Sequence, residues 1–342
     1  MKILDQQKQP SSIDGYLLLH KNPGLTSFQT LSMVKKALGT GKVGHAGTLD
    51  KFAEGLLIFL TGRCTKLIPW FMNCDKTYRG IVKFGIETDT LDPEGEIIKE
   101  CSLPLRENVE AVIPQFTGKI MQAPPAYSAI HIDGKRAYQL ARDGAEIEMK
   151  KRPIEIYNLQ LEKYENGEGA IIVDCSKGTY IRSLARDLAY TAGSCAHLVY
   201  LNRTSIAGFL LEQAVNPSSE SDTHELIRQA VRPVNKAMFE ALKIPTITID
   251  CKTAESLING KPINKHLDAS EITLICMKYR NFKTSDASQD ALDSIQKDTN
   301  FSLDLAIFSE NERFVGIIQK KNNVWQYGYI YNPCDAHLLA KK

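Results

Sequence analysis

The chain has 342 residues, of which 43% are hydrophobic, enough for two domains and a sizeable core. Its formal net charge of +2 is almost neutral, so bulk charge does not indicate a nucleic-acid-binding protein. No apolar run approaches the roughly 20 residues of a membrane span, and the first ten residues lack the apolar core of a signal peptide. Eight cysteines without a Cys-x-x-Cys pair suggest neither a disulfide framework nor a zinc site. We therefore expect a reduced, cytoplasmic protein.

Basic residues are concentrated in two segments. Residues 31–66 hold six Lys or Arg against two acids, and residues 119–152 hold seven against four. Either surplus could contact phosphates. Taken alone, each is explained as well by an ordinary solvated surface.

The N-terminal part predicts a strand followed by a helix. Gly15 to His20 has the pattern of a short buried strand. Thr26 and Ser27 are candidate N-caps for a helix that extends to Leu38, because apolar residues recur there at helical spacing.

The next stretch, Gly44 to Gly55, reads Gly-His-Ala-Gly-Thr-Leu-Asp-Lys-Phe-Ala-Glu-Gly. Its glycines bracket one carboxylate, Asp50, which indicates a tightly turning backbone that another molecule can approach closely. The apolar run 56–60 that follows reads as buried, so Asp50 is expected on a loop at the edge of a rigid element. An acid that merely caps a helix or closes a turn would give the same local pattern.

The rest of the chain alternates between predicted strands and helices. We predict strands over 78–85, 97–98, 153–161, 169–175, 247–250, 314–319 and 325–331, and helices over 109–116, 134–142, 180–192, 225–230, 234–242 and 254–259. A long turn is expected over 88–95, and the Ser/Asp-rich residues 284–299 are expected to form an insertion or loop. Ile244-Pro245 is a candidate junction between two domains.

Residues 44–55 resemble motif II of the pseudouridine synthases, in the form found in the TruB family. That family reads Gly-His-x-Gly-x-Leu-Asp-x-x-Ala-x-Gly, and every fixed position is present here. The resemblance extends from about Asp14 to Phe209, with a weaker echo in the last hundred residues.

Three other motifs recur in family order, which is more specific than any one of them. In the first, Lys-Pro-x-Gly-x-Thr/Ser-Ser, Asn22 replaces the proline and His20 replaces a typical Asp, which leaves the geometry of that loop open. The second and third are Lys76-Thr-Tyr78 and Gly178-Thr-Tyr-Ile-Arg182, and both match.

The resemblance implies an α+β pseudouridine synthase fold, a mixed and largely antiparallel sheet with flanking helices. It implies a catalytic domain over 11–245, with an RNA-gripping insertion at about 119–152. Residues 246–342 resemble a small PUA-like β-barrel domain, and a generic β-rich appendage fits them equally well.

The implied activity is the isomerisation of uridine 55 in the T loop of tRNA to pseudouridine. The enzyme cleaves the N-glycosidic bond and rejoins the base through C5. No atom is gained or lost, so the reaction needs no cofactor and no metal. The implied partner is the T-loop or elbow region of tRNA, and neither a membrane nor an obligatory protein partner is implied.

The resemblance also assigns roles to individual residues. Asp50 would be the essential carboxylate, facing an oxocarbenium-like anomeric carbon. Tyr78 would stack on the uracil and relay a proton, and Arg182 would keep Asp50 ionised and oriented. The implied substrate-binding residues are Lys21, His45, Tyr180, Leu201, Lys135, Arg136 and Arg142.

Each of these residues also has an ordinary structural explanation. Tyr78 could be half-buried packing, Leu201 a core leucine, and Arg182 a charge on a helix surface. At the level of function, a catalytically idle RNA-binding or tRNA-chaperone protein is an alternative, as is a synthase for another RNA uridine. A nucleotide-binding enzyme lacks support, because no Gly-x-Gly-x-x-Gly or phosphate-loop motif occurs.

Overall fold

A computed structural model describes residues 13–128, 131–132, 135–137, 149–217, 223–268, 272, 275, 303–321 and 324–331. Lys135 and Arg136 are described only as part of a short strand, and Arg142 lies outside the described residues. No helix in the described ranges is long and apolar enough to cross a membrane.

The described residues form seventeen strands and seven α-helices. The strands are β1 Gly15–Lys21, β2 Val43–Ala46, β3 Glu54–Thr61, β4 Lys76–Phe84, β5 Ile86–Thr88, β6 Ile97–Glu100, β7 Gly118–Gln122, β8 His131–Ile132, β9 Lys135–Arg136, β10 Arg152–Glu165, β11 Glu168–Cys175, β12 Ala196–Ile206, β13 Phe209–Leu210, β14 Thr246–Ile249, β15 Leu303–Ser309, β16 Phe314–Lys321 and β17 Val324–Ile330. The helices are α1 Ser27–Leu38, α2 Ile68–Met72, α3 Arg106–Val112, α4 Ile181–Thr191, α5 Thr223–Gln229, α6 Lys236–Ala241 and α7 Cys251–Ile258.

A nine-stranded sheet forms the centre of the molecule. Its main path runs β1-β3-β12-β4-β11-β10-β7, and β2 and β13 pair with β3 and β12. Within this sheet β12 and β3 run parallel, whereas the other pairs are antiparallel. The expectation of a mixed, largely antiparallel sheet is confirmed.

Helices cover the two halves of this sheet separately. Leu184 and Leu188 of α4 are buried in one cluster with Val82 of β4 and Val173 of β11. The β1–β3 half has its own cluster, to which α1 and α5 contribute. Because β3 and β12 are paired at only two residue positions, the two halves meet along a short seam.

Strands β14 to β17 form a separate four-stranded sheet. One hydrophobic cluster lies entirely between Ile247 and Tyr327, and the division at 245/246 stays a prediction. The other face of this sheet packs against the preceding part of the chain, where the ring centroids of Phe314 and Phe239 of α6 are 5.0 Å apart. A small C-terminal sheet domain is therefore present, and its assignment as PUA-like stays a prediction.

Most of the predicted elements are present with longer or shifted bounds. The apolar run 56–60 is the centre of β3 and is fully buried. Several strands were not predicted, among them β2, which has only four residues, the edge strand β7, and β15, which follows the Ser/Asp-rich segment. The helix predicted over 134–142 falls mostly outside the described residues, and the loop predicted over 284–299 does so entirely.

One expectation about cysteines needs correction, because Cys101 and Cys195 are paired as a disulfide, with their Cα atoms 5.8 Å apart. Backbone bonds bring them together: the Gly85 N–H donates to Cys195, and the Cys101 N–H donates to the Gly85 carbonyl, both at 2.8 Å. The two cysteines are separated by 94 residues, a spacing that gives no signal in the sequence.

Candidate active site

The base of the candidate site is a row of neighbouring residues across four strands. Lys21 of β1 lies opposite Gly55 of β3, Gly55 lies opposite Arg203 of β12, and Arg203 lies opposite Tyr78 of β4. Residues directly opposite each other in a sheet project to the same face. Sheet register therefore brings Lys21, Arg203 and Tyr78 together although they are distant in sequence.

Gly55 makes this row possible. Its φ is +110°, and a Cβ atom built on it would lie 2.4 Å from Asn202 Oδ1 and 2.6 Å from the Arg203 nitrogen. Only glycine fits such a close backbone approach at a positive φ. The prediction that glycine shapes the end of the loop is confirmed at this position.

The loop that carries Asp50 is held from both sides. The Ser27 hydroxyl donates to the Leu49 carbonyl at 3.0 Å and accepts from the Leu49 N–H at 2.9 Å. Thr26 is the N-cap of α1, so Ser27 serves the loop instead of the helix. On the other side, Arg203 Nη2 donates to the carbonyl of Gly47 at 3.1 Å.

Asp50 and Arg182 form an ion pair that joins residues 132 positions apart. Asp50 Oδ2 lies 2.9 Å from Arg182 Nε, and Asp50 Oδ1 lies 3.2 Å from Arg182 Nη2. The arginine side chain is only 6% exposed, whereas that of Asp50 is 37% exposed. The carboxylate thus has one face fixed by the guanidinium and another open to a ligand.

The turn between β5 and β6 holds the other side of Arg182. Its Nη1 donates to the Thr90 carbonyl at 2.7 Å and to Asp92 Oδ2 at 3.0 Å. Leu91, between those two residues, has a φ of +62°, a strained conformation for a leucine. The turn is kept in this shape by Asp92 Oδ1, which accepts from the Thr90 hydroxyl and from the Glu94 N–H.

Burial and neighbouring charges act in opposite directions on Asp50. Burial raises the pKa of Asp50, and the Asp92 carboxylate raises it further. The Arg182 guanidinium and the Lys21 ammonium both lower the same pKa. The charge on Asp50 therefore depends on these two cations.

Lys21 is completely buried beside the loop. Its ammonium group donates to the carbonyls of Ala53, at 2.5 Å, and of Asn22, at 3.1 Å. Burial lowers the pKa of Lys21 to about 8, with the nearby Arg203 adding to the effect and Asp50 opposing it. Lys21 thus braces the loop through backbone carbonyls and supplies positive charge near the carboxylate.

Tyr78 and Leu201 belong to one wall of the site. Both are nearly buried, in a cluster that includes Leu49, the residue before Asp50. Burial raises the pKa of the Tyr78 hydroxyl, while the adjacent Arg203 opposes this rise. The phenol therefore stays protonated at neutral pH and can donate a proton.

Tyr180 and His45 lie at the margins. The Tyr180 backbone is bonded twice by the Gln122 side chain, at 2.9 and 3.1 Å, immediately before α4 begins. His45 packs edge-on against Phe59, and burial together with Arg203 lowers the pKa of His45. Its imidazole is therefore neutral at pH 7 and suited to contact with bases.

The described residues bring together most of the predicted site. Asp50, Tyr78, Arg182, Lys21 and Leu201 converge, with Tyr180 and His45 nearby. The side chains of Lys135, Arg136 and Arg142 are not among those described, so their roles stay predictions.

Two residues of the site, Asp92 and Arg203, were not predicted from the sequence. Asp92 was included only as part of a long turn, where an acid that bonds its own backbone is ordinary. Arg203 was not among the predicted site residues, and its contacts depend on the pairing of β12 with β3. No local signal marks Arg203, because its strand also contains the polar residues Asn202, Thr204 and Ser205.

Solved structures define the class of fold. A Cbf5–Nop10–Gar1 complex superposes with a TM-score of 0.60, at 18% identity, covering 93% of this chain and 84% of that chain. An H/ACA RNP bound to a substrate RNA containing 2′-deoxyuridine gives 0.61, at 16% identity, covering 94% and 86%. The architecture is the Cbf5/TruB-like pseudouridine synthase fold.

Sequence comparison identifies the family within that class. Residues 35–181 match the TruB family pseudouridylate synthase N-terminal domain. The tRNA pseudouridine synthase B of Borreliella burgdorferi (strain ZS7) is 43% identical over 68% of this chain and 83% of its own length, and that of Treponema denticola is 39% identical over 74% and 85%. The chain therefore belongs to the TruB family and is a pseudouridine synthase, an isomerase.

Proposed function

We propose that this enzyme converts uridine 55 in the T loop of tRNA to pseudouridine, with Asp50 as its essential carboxylate. The observation that carries the proposal is the ion pair of Asp50 with Arg182, which is fixed on one side and open on the other. The curated relatives are tRNA pseudouridine synthases B. The T loop as the target and Asp50 as the essential carboxylate are inferred from the motifs of this chain.

The proposed reaction needs one well-placed negative charge. The C1′–N1 bond breaks, the uracil turns, a C5–C1′ bond forms, and the C5 proton is lost while N1 gains one. Positive charge develops at the anomeric carbon, and the Asp50 carboxylate stabilises this charge. The target base must leave its stack to reach the Asp50 carboxylate.

The neighbouring residues have complementary roles in this proposal. Tyr78 and Leu201 hold the flipped uracil between them, and the Tyr78 hydroxyl relays a proton. Arg182 and Lys21 keep Asp50 ionised, against the burial that favours its neutral form. Neutral His45 and Tyr180 contact the bases that flank the gap.

The alternative of a catalytically idle tRNA-binding protein has less support. Binding to phosphates and stacked bases does not require a carboxylate paired with a buried guanidinium, as Asp50 is with Arg182. Here the carboxylate, its guanidinium and the tyrosine are all present and adjacent.

A T-loop hairpin tests the proposal directly. The wild-type protein should form pseudouridine in the hairpin, and none in the same hairpin with cytidine at the target position. Binding without turnover would favour the idle protein. Turnover on a ribosomal RNA fragment but not on the hairpin would favour a synthase for another uridine.

Tyr78→Phe separates the stacking role of this residue from the proposed proton relay. The ring remains, so the Kd for the hairpin should change less than about threefold, whereas loss of a general acid–base group should reduce the single-turnover rate roughly a hundredfold. Tyr164→Phe is a matched control, since its hydroxyl donates to the Pro104 carbonyl in another part of the sheet. A near-normal rate in Tyr78→Phe would limit the residue to stacking.

The proposed RNA grip is tested by the salt dependence of binding. Replacing Lys135, Arg136 and Arg142 by Gln should weaken tRNA binding and lower the log–log salt slope by about 0.7 for each lost contact with single-stranded RNA. A matched triple variant replaces three cations that already pair with exposed acids, namely Arg79, Arg106 and Lys163. Equal slopes in both variants would assign the insertion to ordinary solvated surface.

A further inference from the structure

A ring of hydrogen bonds, closed through the backbone between Asp89 and Thr90, connects Arg182 to Tyr127, a residue of the predicted insertion. Arg182 Nη2 donates to the Tyr127 carbonyl at 3.0 Å, and the Tyr127 hydroxyl donates to Asp89 Oδ2 at 3.0 Å. Asp89 precedes Thr90, whose carbonyl accepts from Arg182 Nη1 at 2.7 Å. The other oxygen of Asp89 is already used by the Glu96 N–H at 3.0 Å, so this carboxylate is itself fixed.

The ring completes the surroundings of the guanidinium. The three nitrogens of Arg182 lie within 3.2 Å of five oxygens, two from Asp50, two from the 88–95 turn, and one from Tyr127. The Nη2 atom is shared between Asp50 and the Tyr127 carbonyl, so a shift of that carbonyl changes the position of Nη2 relative to Asp50. Because a guanidinium is planar and rigid, displacement of one of its nitrogens displaces the other two as well.

We propose that Tyr127 is a positioning residue, whose hydroxyl bond to Asp89 fixes the carbonyl that aims Arg182 at Asp50. The inference rests on the proposed function, since it assumes that ionised Asp50 is needed for turnover. It adds a role for a residue that bonds to Arg182 through its carbonyl and to Asp89 through its hydroxyl. Small errors in the orientation of catalytic groups have large effects on rate.

Tyr127→Phe tests the inference by removing only the hydroxyl. We expect the single-turnover rate at saturating hairpin to fall about tenfold, with the Kd changed less than about threefold. The acidic limb of the pH–rate profile should also move to higher pH. A displaced Arg182 stabilises the ionised form of Asp50 less well, so the pKa of Asp50 rises. The charged and titratable groups around Asp50 that enter this argument are Lys21, Tyr78, Asp92, Glu94, Tyr180 and Arg182.

Two further variants make the test specific. Tyr157→Phe is the matched control, because its hydroxyl also donates to an aspartate, Asp75, at 3.1 Å on an exposed surface. We expect it to retain wild-type kinetics. In an Asp89→Ala background, Tyr127→Phe should have no further effect, because the acceptor of its hydroxyl is already gone. The rate of each variant is corrected for the fraction of protein that is folded at the assay temperature.

Three results would overturn the inference: a normal rate in Tyr127→Phe, a reduced rate with an unmoved acidic limb, or a full further tenfold loss in the Asp89→Ala background. Asp50→Asn, measured alongside, separates this inference from the proposed function. An active Asp50→Asn would reject the proposed function. An inactive Asp50→Asn with a normal Tyr127→Phe would reject only the role of Tyr127.

Discussion

Asp50→Asn should reduce the single-turnover rate of pseudouridine formation by roughly a thousandfold or more. Loss of a preorganised charge costs about a hundredfold to a thousandfold, and loss of a nucleophile costs considerably more. Asparagine is nearly isosteric and can still accept a bond from Arg182. The clamp of Ser27 on Leu49 does not involve Asp50, so the loop should keep its shape.

RNA binding should change much less than the rate in this variant. Affinity comes mainly from phosphates and stacked bases, so we expect the Kd to change less than about threefold. Asp75→Asn is a matched control, because Asp75 accepts from Tyr157 in an exposed position. Equal loss of activity in both variants would mean that the effect is not specific to Asp50.

Arg182→Met should affect stability and activity together, and with opposite pH dependence. Asp92, 7% exposed in its side chain, loses its cation, and breaking a buried pair in this way costs about 3–5 kcal/mol of unfolding free energy. Asp50 loses the charge that lowers its pKa, so that pKa rises further above its ordinary value. Ionised Asp50 then forms only at higher pH.

The pH dependence of stability in Arg182→Met follows from the raised pKa of Asp50. A carboxyl whose folded pKa is raised above its unfolded value stabilises the fold at low pH, and this contribution is lost as the pH rises through the folded pKa. Arg182→Met should therefore lose more stability at pH 8 than at pH 5, whereas its remaining activity should increase over the same range. Denaturant unfolding and single-turnover rates at both pH values measure the two trends.

Two companion variants identify the cause of the Arg182→Met defect. Arg182→Lys keeps the charge but cannot reach five oxygens, so it should recover part of the stability and little of the rate. Adding Asp92→Asn to Arg182→Met removes the unpaired charge and keeps an oxygen for the turn, so stability should partly return without activity. Full activity in either variant would contradict the role given to Arg182.

The sequence predicts the individual helix and loop of this site better than it predicts which distant residues meet there. Helical spacing and the Thr26 cap predict α1, and the glycines around Asp50 predict a tight loop whose φ values at Gly47 and Gly55 are positive. These features depend on neighbouring residues alone. Periodicity and turn chemistry are therefore sufficient to predict them.

Convergence depends on register, which a single sequence does not encode in any local pattern. Arg203 lies beside Tyr78 and Lys21 because β12 pairs antiparallel with β4 and parallel with β3. The pairing of Asp50 with Arg182 was expected only from the family resemblance. Asp92 and Tyr127 were not expected around Arg182, because both lie in loops whose path is set by tertiary contacts.

The most direct test of the proposed function is to map every uridine of an unmodified full-length tRNA transcript after reaction with this protein. The proposal predicts pseudouridine at position 55 alone with the wild-type enzyme, and none at any position with Asp50→Asn. Pseudouridine at a different position would contradict the proposed target. Pseudouridine at position 55 formed by Asp50→Asn at close to the wild-type rate would contradict the role of Asp50.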